Sequence, residues 1–106
     1  MIIIGEKINA TRKSVRAIIE ERREKALAEL AEDQARAGAS YIDVNVGTGR
    51  GSAADEIEAM KWAVAVACAA VEKPLCIDSA DPQVLEAGLS VLNGRPAMIN
   101  STKADE

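Results

Sequence analysis

Aromatic residues are nearly missing from this chain: one Trp, one Tyr and no Phe, 2% of 106 residues. The core must therefore come from Ile, Val, Leu, Ala and Met. Histidine is absent, and the two cysteines, Cys68 and Cys76, form no C-x-x-C pair. That combination removes the usual zinc sites and leaves two reduced thiols buried in an intracellular protein as the expectation. No apolar run approaches the length of a membrane span. The apolar triplet at the amino terminus lacks the basic flank and long apolar stretch of a secretion signal. Excess positive charge is also absent; the net charge is −4, which argues against nucleic acid and anionic membranes as partners. These absences predict a cytoplasmic protein.

Hydrophobic residues make up 48% of the chain, so it is not a disordered composition, and its length suits one domain unit over residues 1–106. Four short apolar runs punctuate it. Ile2–Ile4 is continuous and β-branched, as a buried parallel strand should be. Tyr41–Val46, Leu75–Ile77 and Ala97–Ile99 follow the same style. Between the first two, Val15, Ile18 and Ile19 form one apolar cluster at helical spacing. Ala26, Leu27, Leu30, Ala31 and Ala35 form another. The phase slips near Arg22–Lys25, which predicts two helices or one kinked helix, closed by Gly38. Ser52 and Asp55 make an S-x-x-D start signal for a third helix, apolar over more than half its surface. Asp81-Pro82 opens a fourth, and Asn93-Gly94 stops it. "STKADE" at the end resembles the first turn of another. The order βαβαβαβ predicts an α/β fold with a parallel sheet and right-handed crossovers.

Each strand meets an acid or an amide as it ends. Side chains alternate across a strand. Ile42, Val44 and Val46 thus share one face, expected to carry the helices, while Asp43 and Asn45 share the other. Cys76 and Asp78 lie together, as do Met98 and Asn100, and Ile2, Ile4 and Glu6. In a parallel sheet the late ends of all strands share one edge. Glu6, Asp43, Asn45, Asp78 and Asn100 should converge there, with Ser79 and Ser101 just above. This is where barrels and open α/β sheets place their sites. Capping or turn-holding competes for each residue singly, most strongly for Ser52, Asp81 and Ser101. Glu6 has an ion pair with Lys7 or Arg95 as its alternative.

Carboxylates and amides without a basic cluster suit a heterocycle rich in N–H donors and carbonyl acceptors. A divalent metal is the competing occupant, since Asp and Glu are hard oxygen ligands, but no recognised ligand spacing is present. "GTGRG" at Gly47–Gly51 is neither G-x-G-x-x-G nor G-x-x-x-x-G-K-[ST], so it gives little support for phosphate.

"MIIIGEKIN", "YIDVNVG", "EAMKWAV", "LCIDSADPQVLEAGL" and "AMINSTKADE", in this order and spacing, resemble the methyltetrahydrofolate:corrinoid methyltransferases. These belong to the pterin-binding superfamily that includes dihydropteroate synthase and the folate domain of cobalamin-dependent methionine synthase. The resemblance implies a (β/α)8 barrel with the pterin ring in its mouth. It implies Asp78 and Asn100 as pterin ligands, with Asp43 and Asn45 lining or supporting the pocket. Glu6, Asn9, Ser79 and Ser101 are possible supports. It further implies that methyltetrahydrofolate is the substrate and that a cobalamin-bearing corrinoid protein is the partner; no metal of the chain's own is expected. Such a barrel needs roughly 250 residues, so the chain corresponds to the amino-terminal half and lacks the later-strand residues that would act at N5. A dihydropteroate synthase relative and a non-catalytic, self-associating half-barrel are the alternatives. Half a barrel leaves two open edges and an apolar inward face around Ile2, Ile4, Cys76 and Met98, with a second apolar surface near Trp62 and Val66. A homodimer is therefore expected.

Overall fold

The computed structural model describes residues 4–47 and 52–100, apart from the side chains of Ile4, Glu6 and Lys7. Four strands, β1 (Ile4–Asn9), β2 (Tyr41–Asn45), β3 (Leu75–Asp78) and β4 (Ala97–Asn100), pair in the order β1-β2-β3-β4, all parallel. Helices α1 (Lys13–Glu20) and α2 (Glu24–Arg36) link β1 to β2. Helix α3 (Ala53–Ala70) links β2 to β3, and α4 (Pro82–Ser90) links β3 to β4. Four parallel strands alternating with helices make half of a (β/α)8 barrel. Among the described residues no helix is long and apolar enough to cross a membrane.

The helix boundaries follow from local chemistry. Arg22, at φ 53°, separates α1 from α2, which is why the apolar phase slips there. α2 ends in a Schellman closure: Ala39 N–H donates to Gln34 O (3.1 Å) and Gly38 N–H to Ala35 O (3.2 Å). Gly38 sits at φ +98°, a conformation that costs glycine least. At the start of α3, Ser52 and Asp55 exchange side-chain-to-backbone hydrogen bonds, both 3.2 Å. Asp81 accepts from the Gln83 N–H at 2.9 Å to start α4, with Pro82 behind it.

Ile8, Ile42, Val44, Leu75 and Ile77 are at most 1% exposed beneath the helices. α3 packs on β2 and β3 between α2 and α4, burying Ala59, Met60, Ala63, Val64, Val66 and Ala67. Each fully buried Val, Leu, Ile or Met stabilises by roughly 1.5–3 kcal/mol relative to its exposed state. Two glycines set the helix–sheet distance. A Cβ on Gly5 would lie 2.3 Å from Gln34 Oε1, and Gln34 is itself buried. A Cβ on Gly88 would lie 2.9 Å from Ile77 Cγ2 and 3.0 Å from Met60 Cγ.

Several expectations need correction. The first strand as described runs Ile4–Asn9, well past the expected end at Ile4; Ile2 and Ile3 lie outside the described residues. Glu6 is thus inside the strand rather than beyond it. The surface near Trp62 and Val66 is not open. Val66 is buried, and the Trp62 ring is half-buried with the Arg22 guanidinium 5.4 Å from its centroid. Cys76, expected to be uncovered on the inward face, is 1% exposed. Arg95 spans the carboxyl end of α3, donating to the carbonyls of Cys68 (2.5 Å), Val71 (2.8 Å) and Lys73 (3.3 Å). It satisfies carbonyls that have no partner within the helix.

Gly88→Ala gains about 1 kcal/mol of helix propensity but forces a methyl group against two side chains that are 0% exposed. Overpacking costs about 1–3 kcal/mol, so the variant is expected to be less stable than the parent by urea denaturation, with an unchanged m value. A rise in the midpoint would mean that α4 can move off the sheet at little cost.

Candidate functional site

Asn9 pairs with Asn45, and Asp78 with Asn100. Val44 pairs with Ile77, which sets Asn45 level with Asp78 one step later. The four strands therefore present Asn9, Asn45, Asp78 and Asn100 as one row at their carboxyl ends, opposite in sense to the buried Val44 and Ile77. Strands lie about 4.8 Å apart, so the row is about 14 Å across. Two residues earlier, Asp43, Cys76 and Met98 make a second row on the same face. Asp43 is 5% exposed, while Asp78, Asn100 and Met98 are half-buried.

Asn9 joins this row through a bulge. Between Gly5 and Ile8, β1 advances three residues while β2 advances two, from Ile42 to Val44. The extra residue reverses the alternation. Ile8 consequently turns into the core at 0% exposure, and Asn9 falls on the polar face. Strict alternation in β1 puts these two the other way round.

The amides at the β1 and β2 ends also shape the loops. Asn9 Oδ1 accepts from the Thr11 N–H (2.9 Å) and the Thr11 hydroxyl (2.8 Å). Asn45 Oδ1 accepts from the Gly47 N–H (3.0 Å). Both are Asx turns, in which the side chain replaces a backbone acceptor. Asp43, Asp78 and Asn100 each have an interaction partner. Ser79 is 5% exposed; its hydroxyl donates to Glu56 Oε2 (3.3 Å) and accepts from the Asp81 N–H (3.1 Å). Its own N–H donates to Asn100 O (3.1 Å), carrying the β3–β4 ladder past Asp78.

Glu56 is the residue that sequence reasoning missed. It sits in the first turn of α3, where an acid is ordinarily explained by the helix dipole. In the fold it bonds Ser79 across the β3–α4 loop. Its carboxylate also lies 3.4 Å from the position a Gly47 Cβ would take. It thus ties the start of α3 to the β3–α4 loop at the site's edge. The spacing of 23 residues to Ser79 left no local signal. Ser101 and residues 48–51 of the glycine-rich loop lie outside the described residues, as does the Glu6 side chain.

The rest of the surface offers less chemistry. At the opposite edge, an open groove is lined by Glu32, Arg36, Glu72 and Lys73 with apolar neighbours. Burial raises the pKa of the Cys68 thiol, opposed by the weaker influence of Arg95, so the thiol stays protonated at neutral pH. Among the described residues no three His, Cys, Asp or Glu side chains gather as a metal-binding group.

A parallel β/α half-barrel with acids and amides in one row at its strand ends defines the class: a barrel-type site for a polar, hydrogen-bonding ligand. The chain belongs to the family described as pterin binding enzymes, whose profile matches residues 5–106. It is 43% identical over 105 residues to a methylcorrinoid:tetrahydrofolate methyltransferase of Eubacterium limosum, covering 99% of this chain and 37% of that protein. Methionine synthases of Mycobacterium leprae and Mycobacterium tuberculosis are 39% and 38% identical over 109 residues, covering 8% and 9% of those much longer proteins. The chain therefore spans well under half the length of the curated relatives it matches.

Ser79→Ala is expected to destabilise the fold by about 1–3 kcal/mol, because the Asp81 N–H loses its acceptor in a nearly dry position. Thermal denaturation checks this. A melting temperature unchanged from the parent would show that water replaces the hydroxyl.

Proposed function

We propose that this chain supplies the first four strands of a pterin-binding barrel domain, as its amino-terminal half. In this proposal the barrel moves a methyl group between N5 of a tetrahydrofolate and the cobalt of a partner corrinoid protein. The observation that carries the proposal is the row Asn9–Asn45–Asp78–Asn100 at the carboxyl edge of the sheet. A carboxylate accepts the paired N–H groups of an aminopyrimidinone ring, and an amide both donates and accepts. Asp78 and Asn100 take the pterin directly. Asp43, buried one layer lower, supports them, and Asn45 lines the pocket while holding its loop.

The methyl transfer itself is a displacement. The partner's corrinoid would supply the nucleophile for the methyl carbon; residues of this chain would orient the ring so that N5 can leave with the electron pair of the N5–CH3 bond and take a proton from solvent. The name of the 43% identical relative places the methyl group first on the corrinoid. The same positioning of N5 serves either direction by microscopic reversibility. The protein's contribution is orientation of the ring. A cytoplasmic location and a role in one-carbon metabolism follow from this proposal.

Self-association belongs to the same proposal. β1 and β4 are the edges of the sheet, and Ile99 of β4 is 50% exposed on the face that elsewhere carries helices. Leu89 of α4 is also exposed, at 38%. A homodimer that pairs β4 covers such an edge. A stable monomer in analytical ultracentrifugation at micromolar concentration overturns this element.

Asp78→Ala and Asn100→Ala are each expected to weaken binding of methyltetrahydrofolate by about 1–3 kcal/mol, the cost of leaving a buried polar group without its partner. Isothermal titration calorimetry reads this directly, and unchanged affinity removes these residues from the site. Binding and transfer should separate. Four strands form one wall of the pocket, so the 106-residue chain alone is expected to form no methylcobalamin in a spectroscopic assay.

A further inference from the structure

Five of the ten Lys and Arg side chains described are engaged within the fold. Arg23 pairs with Glu21 at 2.5 Å, Arg36 with Asp33, and Lys61 with Glu58 at 3.8 Å. Arg22 covers Trp62, and Arg95 holds the end of α3. Of the other five, Arg12, Lys13 and Arg16 fall together at the start of α1, apart from Lys25 and Lys73. The side chains of Arg12, Lys13 and Arg16 form no ion pair or hydrogen bond among the described residues, and the first acid after them in the sequence is Glu20, four residues past Arg16. Arg12 and Lys13 are exposed, and Arg16 is half-buried. Spacings of three and four residues set all three on one side of the α1 start.

This placement opposes helix stability. Cations in a first turn meet the positive end of the helix dipole, and like charges four residues apart repel. α1 has no acid in its first turn and no side-chain cap from Arg12. The cluster is also tied to the polar row. Ala10 N–H donates to Asn45 O at 2.9 Å and Arg12 N–H to Asn9 O at 3.0 Å. The three cations thus begin where the row ends, at β1, two strand spacings or about 10 Å from Asp78 on β3.

We propose that Arg12, Lys13 and Arg16 bind the carboxylate-bearing tail of the ligand whose ring occupies the Asp78–Asn100 end of the row; this rests on the pterin-binding role proposed above. The site is then polarised. Acids and amides at β3 and β4 take a heterocycle rich in N–H donors, and cations beyond β1 take carboxylates about 10 Å away. The substrate class is a reduced pterin joined through a spacer of that length to one or more glutamyl residues. Additional glutamyl carboxylates strengthen binding, and added salt weakens that increment, because exposed charges are screened.

Calorimetry on the full chain with three probes tests this: 6-methyltetrahydropterin without a tail, methyltetrahydrofolate with one glutamate, and methyltetrahydrofolate with three. In Arg12→Gln/Lys13→Gln/Arg16→Gln the triglutamate form is expected to bind about three- to 150-fold more weakly, at about 0.2–1 kcal/mol for each of three exposed charge pairs. The tail-less pterin should be unaffected, and Arg12→Lys/Arg16→Lys should retain the affinity for the triglutamate. Asp78→Ala weakens all three probes. Equal triglutamate affinity in parent and triple variant overturns the tail site and leaves the pterin site standing. Equal loss for the tail-less pterin also overturns it, since the cations would then act through the fold. A parent that binds none of the probes overturns both proposals.

Discussion

The parallel register of the four strands is the constraint on which the site depends. Ile8, Val44 and Ile77 stand level because each must enter the same apolar layer under the helices, at 0% exposure. A strand residue one step later faces the other way. Packing on one side of the sheet therefore aligns Asn9, Asn45 and Asp78 on the other, without any contact among them being required. A slip of one residue in β2 or β3 would bury an acid or an amide and expose an isoleucine or valine. The burial of the hydrophobic row is thus what holds the polar row in place.

β1 meets that constraint at a local cost. Its apolar residues and its terminal amide do not share a simple alternation, and the bulge between Gly5 and Ile8 reconciles them. Gly5 is needed just before the bulge because Gln34 of α2 comes within 2.3 Å of where a Cβ would be. On the other flank Gly88 performs the same service for α4. Helix, sheet and site height are coupled through these two close approaches. Loops are coupled separately, by Asn9 to Thr11, by Asn45 to Gly47, and by Ser79 to Glu56 and Asp81. Several polar groups at the strand ends therefore hold turns and belong to the candidate site at once.

The distribution of charge adds a direction to the site. Acids and amides lie on the strands, where register positions them. Cations lie on the first turn of α1, where they oppose the helix dipole and no acid shares the turn. A ligand with a donor-rich ring and an anionic tail satisfies both ends together.

Local signals determined much of this architecture. Val15 and Ile19, then Leu27 and Ala31, announced two helices, and the phase slip at Arg22 marked their boundary, because helical periodicity is a property of neighbouring residues. Ser52 with Asp55, Asp81 with Pro82, and Gly38 named helix ends for the same reason: caps act within a few residues. The run of acids and amides after each apolar segment marked the site's edge, since parallel strands must finish together. Tertiary structure alone decided the rest. The bulge in β1 depends on how Ile8 packs under the helices, and no pattern in "IGEKIN" reveals it. Glu56 found Ser79 across 23 residues, and Arg95 found the carbonyls of α3 across 27 and 24. Cys76 and the Trp62–Val66 surface were covered rather than open. Each of these depends on contacts between segments distant in the chain, and composition and spacing carry no record of which segments will meet.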